Sequence, residues 1–335
     1  MKSLSIFSLS LLFSVCCFAQ HISKTDHHFL VKKEDSLKVF ATKILMDTRD
    51  YGRFKADSAF TKTFVRALKT PYSFYYPFDS LQTISTLYAP DSSFRIFTWQ
   101  LIISDNFVRQ HGAIQMRTAD GSLKLLPLID KSEMIQNIND TVTNNRAWVG
   151  ALYYKIIETK DKDNDQPCYT LFGYDENNMR TTKKLLEVLT FDEDGLPVFG
   201  ASDYFHFEAD SIVKAPVNRF ILEFKKDASP ALTYDDDMGM IVIEHLESES
   251  NEPLKKWTLV PDGDYEGFKW EKNKWVHIDK IFHQVTPDGQ APTPDPIKGN
   301  GGDLLHDKLS PATSSDKKIE TPPAQQDNNV PTDNP

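Results

Sequence analysis

Three carboxylates near residue 264 have the type and spacing that could bind a cation. Asp262, Asp264 and Glu266 alternate along the chain, with glycines between and after them. Carboxylate oxygens are the ligands that Ca²⁺ prefers, and glycine permits the tight backbone turns that gather them. These residues are therefore the candidate metal ligands of the sequence, and Ca²⁺ is its one candidate cofactor. The alternative, which we favour, is a β-turn between strands at 257–261 and 267–270 that needs no metal.

Two further acidic segments fit a cation less well. The segment 161–165 alternates aspartates like the start of an EF-hand loop, but Gln166 stands where that loop needs glycine and Phe172 where it needs glutamate. A solvated hairpin loop is the prediction there. The three aspartates of 235–237 are adjacent, and adjacent side chains of a strand point to opposite faces, so an exposed turn is predicted.

Nucleophilic catalysis has little support in the sequence. It contains neither a G-x-S-x-G motif nor a G-x-x-x-x-G-K-[ST] motif. A catalytic pair of Cys168 with His245 or His277 would lack any local sequence signature. Histidines occur in pairs with glutamate, as at 206–208 and 244–245, whereas zinc requires three or four ligands. Four glutamates lie in apolar strands, where burial could raise a carboxyl pKa as an acid catalyst needs; they are Glu158, Glu187, Glu223 and Glu244. Edge strands and outward faces explain them more simply, so no catalytic or cofactor-binding residue is predicted.

The N-terminal segment 20–83 is predicted to be helical and to pack on a β domain. Its first helix is indicated by apolar residues at helical spacing, namely Leu37, Phe40, Ala41, Ile44 and Leu45. A second helix places Phe60, Phe64 and Leu68 four apart, with Asp57 as its N-cap and Pro71 as its stop. Each helix has one apolar face, which has to be covered by another element.

Strands and short turns fill residues 84–282. The run 148–157 is apolar on both faces and is therefore expected to be covered on both sides. Aromatic residues lie in or beside many strands, where they can stack sugars or peptides but mostly belong to a core. The fold class predicted is mainly β, an antiparallel meander of about a dozen strands with short N-terminal helices. The sheet is expected to be a sandwich or strongly curved and barrel-like.

The two ends of the chain are predicted to lie outside this fold. Residues 1–19 read as a cleaved signal peptide, with one lysine, an apolar run too short to span a membrane, and small residues before Gln20. The residues before Cys16 and Cys17 do not fit a lipobox, so lipid attachment is not expected. The segment 283–335 has no aromatic residue and many prolines, which predicts a disordered tail.

Charge and cysteine content narrow the functional classes further. The formal charge is -10, from 38 Lys+Arg and 48 Asp+Glu, and an acidic chain without a basic block does not suit nucleic acid. Beyond residue 20 the chain holds one cysteine, Cys168, which is predicted to be buried and inert. No transmembrane segment is expected in the mature chain. Together with the predicted signal peptide, this predicts an exported protein, periplasmic or extracellular.

Several segments resemble a group of secreted proteins of unknown function that is common in Bacteroidota. They are 148–157 and 169–175, together with 94–99, 111–115, 182–184, 241–246 and 261–267. The resemblance covers roughly residues 36–282 and implies a β domain in the cell envelope. It implies no activity and no catalytic residue.

Two functions follow as hypotheses. The first is a non-catalytic cell-envelope protein, with a binding or structural role and an envelope protein or a glycan as its partner. The second is an envelope hydrolase that acts on glycans or peptides. A deep cleft with two convergent carboxylates would favour the hydrolase, and exposed aromatic residues on a surface would favour binding.

Overall fold

The computed structural model describes residues 21–104, 106–160, 167–200, 204–208, 210 and 214–282. They belong to the first of two units of the chain, Met1–His283, and the second unit, Gln284–Pro335, lies outside the described residues. The predicted signal peptide, the acidic loop 161–165 and the predicted tail also lie outside them. Strands hold 45% and helices 21% of the residues, and the sheets are antiparallel, so the predicted mainly β class is confirmed.

Two long helices open the described chain, α1 (Lys24–Met46) and α2 (Asp50–Leu68). The Ser23 hydroxyl caps α1 by accepting a hydrogen bond from the backbone N–H of Asp26. At 23 and 19 residues the helices are not the short ones expected. Asp57 lies two turns inside α2, so its prediction as the N-cap is wrong. Its buried carboxylate instead accepts a hydrogen bond of 2.9 Å from Trp99 Nε1. No described helix is both long enough and apolar enough to cross a membrane.

Sixteen strands follow within the described residues. They are β1 (Ser85–Tyr88), β2 (Phe94–Ser104), β3 (Phe107–Met116), β4 (Lys124–Ile129), β5 (Thr143–Asn144), β6 (Leu152–Lys160), β7 (Pro167–Asp175), β8 (Thr181–Phe191), β9 (Pro197–Phe199), β10 (Phe205–Phe207), β11 (Lys214–Val217), β12 (Arg219–Lys225), β13 (Leu232–Asp235), β14 (Met240–Ser248), β15 (Leu259–Glu271) and β16 (Lys274–Ile278). Short 3₁₀ turns occur at Ser73–Tyr75, Ser132–Met134 and Lys256–Thr258.

The strands form three sheets. The first has the order β1-β2-β3-β4, the second β5-β9-β8-β7-β6 with β12 paired to β8, and the third β11-β10-β16-β15-β14-β13. β10 and β16 run parallel, whereas the other ladders between named strands are antiparallel. β5, β10 and β11 are only two to four residues long, which is too few for a clear alternating pattern in the sequence.

Three apolar clusters join the helices and sheets into layers. Phe97 and Trp99 of β2 pack with the helices, while Phe94 and Ile96 point to the other side and pack against the second sheet. The far face of the second sheet packs against the third sheet in a further cluster that includes Trp275. The second sheet is therefore covered on both faces, as in a sandwich with an additional layer.

The strand predicted at 148–157 is displaced and only partly covered. β6 begins at Leu152 and lies at the edge of the second sheet. Trp148 is fully buried but precedes the strand, and Gly150 has a φ of +83°, which favours glycine. Tyr154 remains 39% exposed. Its ring contacts Phe172 and its hydroxyl donates a hydrogen bond to the Leu232 carbonyl oxygen of β13, so the second face of β6 is covered in part.

Candidate functional site

The candidate metal ligands lie inside a strand, so the predicted β-turn is wrong. Between Glu244 and Leu246 the register of β14 with β15 shifts, and the residues Asp262 to Asp264 lie opposite a single residue of β14. Two extra residues on one strand make a β-bulge, and Gly263 within it has a φ of +92°, which favours glycine. The Asp and Gly residues that resemble a turn therefore form a bulge in a continuous strand.

Each of the three carboxylates has its own positively charged or ionisable partner. Asp262 Oδ2 lies 2.7 Å from His245 Nδ1, and Asp264 Oδ2 accepts a hydrogen bond of 3.0 Å from Lys280 Nζ. Glu266 Oε2 lies 3.5 Å from a nitrogen of His277. The structure thus directs the three carboxylates to three different side chains. Within the described ranges, no group of three or more His, Cys, Asp or Glu residues could hold a metal ion.

His277 lies between two carboxylates in the third sheet. Asp210 Oδ1 lies 2.7 Å from His277 Nδ1, Glu266 lies on the other side, and Lys214 Nζ is 3.7 Å from Asp210. Burial lowers the pKa of His277, but hydrogen bonds with Glu266 and Asp210 outweigh it and raise the pKa. Cys168 is no part of this cluster, since its Sγ lies 2.6 Å from the hydroxyl of Tyr204. The cluster joins β15 and β16 to Asp210, which lies between β10 and β11.

Of the four glutamates considered for acid catalysis, Glu187 differs most from its prediction. It is fully buried in β8, where Arg219 Nε donates a hydrogen bond of 2.5 Å to Oε1 and Tyr153 donates to Oε2. An outward or edge position is therefore wrong for Glu187. Glu223 accepts hydrogen bonds from neighbouring side chains, and Glu244 accepts from the backbone N–H of Ala231. These contacts give the glutamates structural roles.

A cleft of ≈ 350 Å³ opens between the tip of the β2–β3 hairpin and the β7–β8 connection. We call it the inter-hairpin cleft, and its lining is Ile102, Ser104, Val108, Glu176, Asn178, Met179 and Lys226. Its apolar residues come from all sides, and its polar residues offer hydroxyl, amide, carboxylate and ammonium groups. The volume lies within the range of small-molecule sites.

The charges of the cleft neutralise each other. Lys226 Nζ lies 2.7 Å from Glu176 Oε1, and the Tyr174 hydroxyl donates a hydrogen bond of 2.5 Å to Oε2. Burial raises the pKa of Glu176, but the hydrogen bonds from Lys226 and Tyr174 outweigh it and lower the pKa. The carboxyl group of Asp175 has a raised pKa because it is buried, and it accepts a hydrogen bond from Gln110 Nε2. Asp175 does not belong to the cleft lining, so the cleft does not present two convergent carboxylates.

An exposed tryptophan–arginine pair adjoins the cleft. The guanidinium of Arg180 lies 4.0 Å from the ring centroid of Trp257, which is 38% exposed. Arg180 directly follows Met179, a cleft residue that is itself 58% exposed. The guanidinium covers one face of the Trp257 ring, which leaves the exposed part of the indole as an aromatic contact surface near the cleft.

Sequence patterns did not identify this cleft. Its lining comes from two hairpins near Ser104 and Glu176, more than 60 residues apart in sequence, and from Lys226 after β12. Only the packing of the first sheet on the second brings these residues together. The one local signal is the polar run 175–178 after an aromatic strand, and such runs usually mark turns.

Comparison with known proteins gives no match to this chain: no family model, no curated protein and no solved structure matches it. The resemblance to secreted Bacteroidota proteins therefore stays a prediction, and the functional argument rests on the geometry.

Proposed function

We propose that this protein is an exported, non-catalytic protein of the cell envelope that binds neutral glycans in the inter-hairpin cleft. The observation that carries the proposal is the lining of the cleft, where apolar walls alternate with hydrogen-bonding groups whose charges are already paired. Sugars have apolar ring faces and many hydroxyl groups, so they match such a surface. Lys226, the cation of the cleft lining, is already paired with Glu176, so the lining offers a phosphate or a free carboxylate no unpaired positive charge.

The tryptophan–arginine pair supports a chain-like ligand. Trp257 is exposed beside the cleft, and aromatic rings stack on the apolar faces of sugar rings. A glycan of several units could fill the cleft with one residue and stack the next on Trp257. The export part of the proposal rests on the N-terminal sequence pattern. The cell-envelope part rests on the segments that resemble secreted Bacteroidota proteins.

The test is calorimetric titration of the full chain with a panel of neutral oligosaccharides. Trp257→Ala is expected to weaken binding of the best ligand by about tenfold, the equivalent of one stacking contact. Phe29→Ala is the matched control, since Phe29 is 41% exposed on α1 and outside the lining. Its affinity should stay within twofold of the unmodified protein.

Two results would contradict the proposal. Failure of every neutral oligosaccharide to bind would remove glycans as the ligand class. Equal losses of affinity in Phe29→Ala and Trp257→Ala would show that the ligand does not bind at the inter-hairpin cleft. Product analysis of the same mixtures tests the hydrolase hypothesis, because shortened oligosaccharides would show that the protein cleaves its ligand.

A further inference from the structure

The two helices carry a positive charge on a chain that is otherwise acidic. Residues 24–69 contain eleven Lys and Arg residues against six Asp and Glu, whereas the whole chain has 38 against 48. Two of those six carboxylates, Glu34 and Asp57, are buried and accept hydrogen bonds from the parts of the fold that the helices cover. The outer surface of the helices is therefore more basic than their composition indicates.

A row of cations follows the side of α2 that is opposite its buried residues, and we call it the α2 basic stripe. Its members are Lys55, Lys62, Arg66 and Lys69, and all four are exposed. They recur at intervals of three, four and seven residues, so they lie on one face of the helix, about 21 Å long at 1.5 Å per residue. Besides the buried Asp57, α2 has one carboxylate, Asp50, which is paired with Arg53. The carboxylates of α2 therefore leave the stripe unneutralised.

Exposed apolar side chains adjoin the N-terminal end of the α2 basic stripe. Met46 at the end of α1 is 68% exposed, and Tyr51 in the first turn of α2 is 76% exposed. Phe54, next to Lys55, is exposed as well. The buried faces of both helices pack in the cluster that includes the first sheet, so these side chains belong to the outer surface. Cations beside exposed aromatic and apolar groups are typical of surfaces that lie at a membrane interface.

We propose that the outer surface of α1 and α2 docks on an anionic lipid surface, with the α2 basic stripe at the head groups and Met46 and Tyr51 in the interface. Clusters of four to eight cations are attracted to anionic lipids in this way. A soluble acidic partner would pair with the cations but would leave the apolar side chains in water, so a lipid surface accounts for both features. The lining of the inter-hairpin cleft comes from strands and their connections, so this proposal does not depend on glycan binding.

Co-sedimentation with vesicles tests the docking. The protein tested is the exported form expected from the sequence, residues 20–335, because the apolar run of residues 1–19 would itself enter vesicles. Vesicles of phosphatidylcholine with phosphatidylglycerol are expected to bind it about tenfold or more tightly than vesicles of phosphatidylcholine alone. Raising the salt from about 0.1 M to about 1 M should remove this difference, because the screening length falls from about 10 Å to about 3 Å.

Charge variants locate the binding on α2. Lys62→Gln/Lys69→Gln should weaken binding to the anionic vesicles by about tenfold or more, the combined effect of two cations at the surface. Lys269→Gln/Lys272→Gln is the matched control, because it removes the same charge from exposed positions of the β15–β16 hairpin in the third sheet. Its affinity should stay within about twofold of the unmodified protein, since screened charges act only near the docked surface.

Apolar variants distinguish a membrane from a soluble acidic partner. Met46→Ser/Tyr51→Ser should weaken binding to the anionic vesicles by about tenfold or more, because apolar burial contributes to interfacial binding. Met238→Ser/Leu254→Ser changes two exposed residues in connections of the third sheet and should bind like the unmodified protein. All four double variants should melt within about 2 °C of the unmodified protein, which separates loss of binding from loss of fold.

Three results would overturn the proposal. The first is anionic vesicles that bind no more tightly than neutral ones. The second is an equal loss of affinity in Lys62→Gln/Lys69→Gln and in its third-sheet control. The third is unchanged vesicle binding by Met46→Ser/Tyr51→Ser, which would assign the α2 basic stripe to a soluble acidic partner instead of a membrane.

Discussion

At the scale of single residues, the Arg219–Glu187 pair is the feature most sensitive to substitution. The Arg219 side chain is 0% and the Glu187 side chain 1% exposed. Removing one member leaves the other charge buried without its partner. Glu187→Gln is therefore expected to lower the free energy of unfolding by about 3–5 kcal/mol, measured by urea denaturation. Arg219→Met should lower it comparably.

The double variant and an exposed pair supply the controls for this prediction. The double variant Glu187→Gln/Arg219→Met should lower the free energy of unfolding by much less than the sum of the two single variants, because neither charge is then left unpaired. Lys225 lies on the same strand as Arg219 and forms an exposed pair with Glu249. Lys225→Met should change the free energy of unfolding by no more than about 1 kcal/mol. Single losses as small as that of Lys225→Met would show that the buried pair is solvated.

The His277 cluster predicts a pH dependence of stability. Contacts with Asp210 and Glu266 raise the pKa of His277 in the folded state above its value in the unfolded chain, about 6.5. The folded state therefore binds the proton more tightly. This stabilisation is complete below pH of about 6.5 and is lost as the pH rises through the folded-state pKa. Urea denaturation between pH 6 and 9 should show the free energy of unfolding falling over this window.

Histidine variants isolate the source of that slope. His277→Gln should flatten the decline between pH 6 and 9, whatever its effect on stability at a single pH. His28→Gln changes an exposed histidine of α1 and should keep the slope of the unmodified protein. An unchanged slope in His277→Gln would assign the pH dependence to other groups.

Single residues also show where prediction from sequence stops. The sequence identified Glu187 as a carboxyl in an apolar strand but placed it on an exposed position. Its partner Arg219 is 32 residues away, so the pairing depends on β12 lying beside β8. Cys168, by contrast, is buried as predicted, because burial of a lone thiol follows from the apolar strand around it.

At the scale of elements, a hydrogen bond between buried side chains connects α2 to the first sheet. Asp57 accepts it from Trp99, and both side chains are buried. Asp57→Ala leaves the indole N–H without a partner and should lower the free energy of unfolding by about 1–3 kcal/mol in urea denaturation. Asp57→Asn keeps an acceptor oxygen and should lose less. Equal losses in both variants would mean that the carboxylate charge, rather than this hydrogen bond, is what matters.

Local patterns predicted the existence of elements better than their limits. The helical spacing of Phe60, Phe64 and Leu68 placed α2 correctly, and these residues form its buried face. The start of α2 was misplaced because Asp57 resembles a cap while it in fact bonds a distant tryptophan. β15 was divided in two for a similar reason, since Gly263 occupies a bulge rather than a turn. In each case a tertiary contact changes the meaning of a local signal.

At the scale of the whole molecule, the inter-hairpin cleft is a product of layering. It forms only when the first sheet packs on the second. Composition and alternation predicted a layered β protein but not which hairpins meet. That choice depends on contacts between residues far apart in sequence, such as Gln110 with Asp175.

The folded part of the chain is expected to be stable without the segment 283–335. The segment 283–335 has no aromatic residue, so it offers little apolar surface to a core. A chain ending at Phe282 should melt within about 2 °C of one ending at Pro335, since 1 kcal/mol shifts a domain of this size by about 2–4 °C. A chain ending at Asn273 is the control. It lacks β16 and with it Trp275, which is 1% exposed in the core, so it should not give a cooperative melting transition. A fall of several degrees on ending at Phe282 would show that the terminal segment stabilises the folded unit.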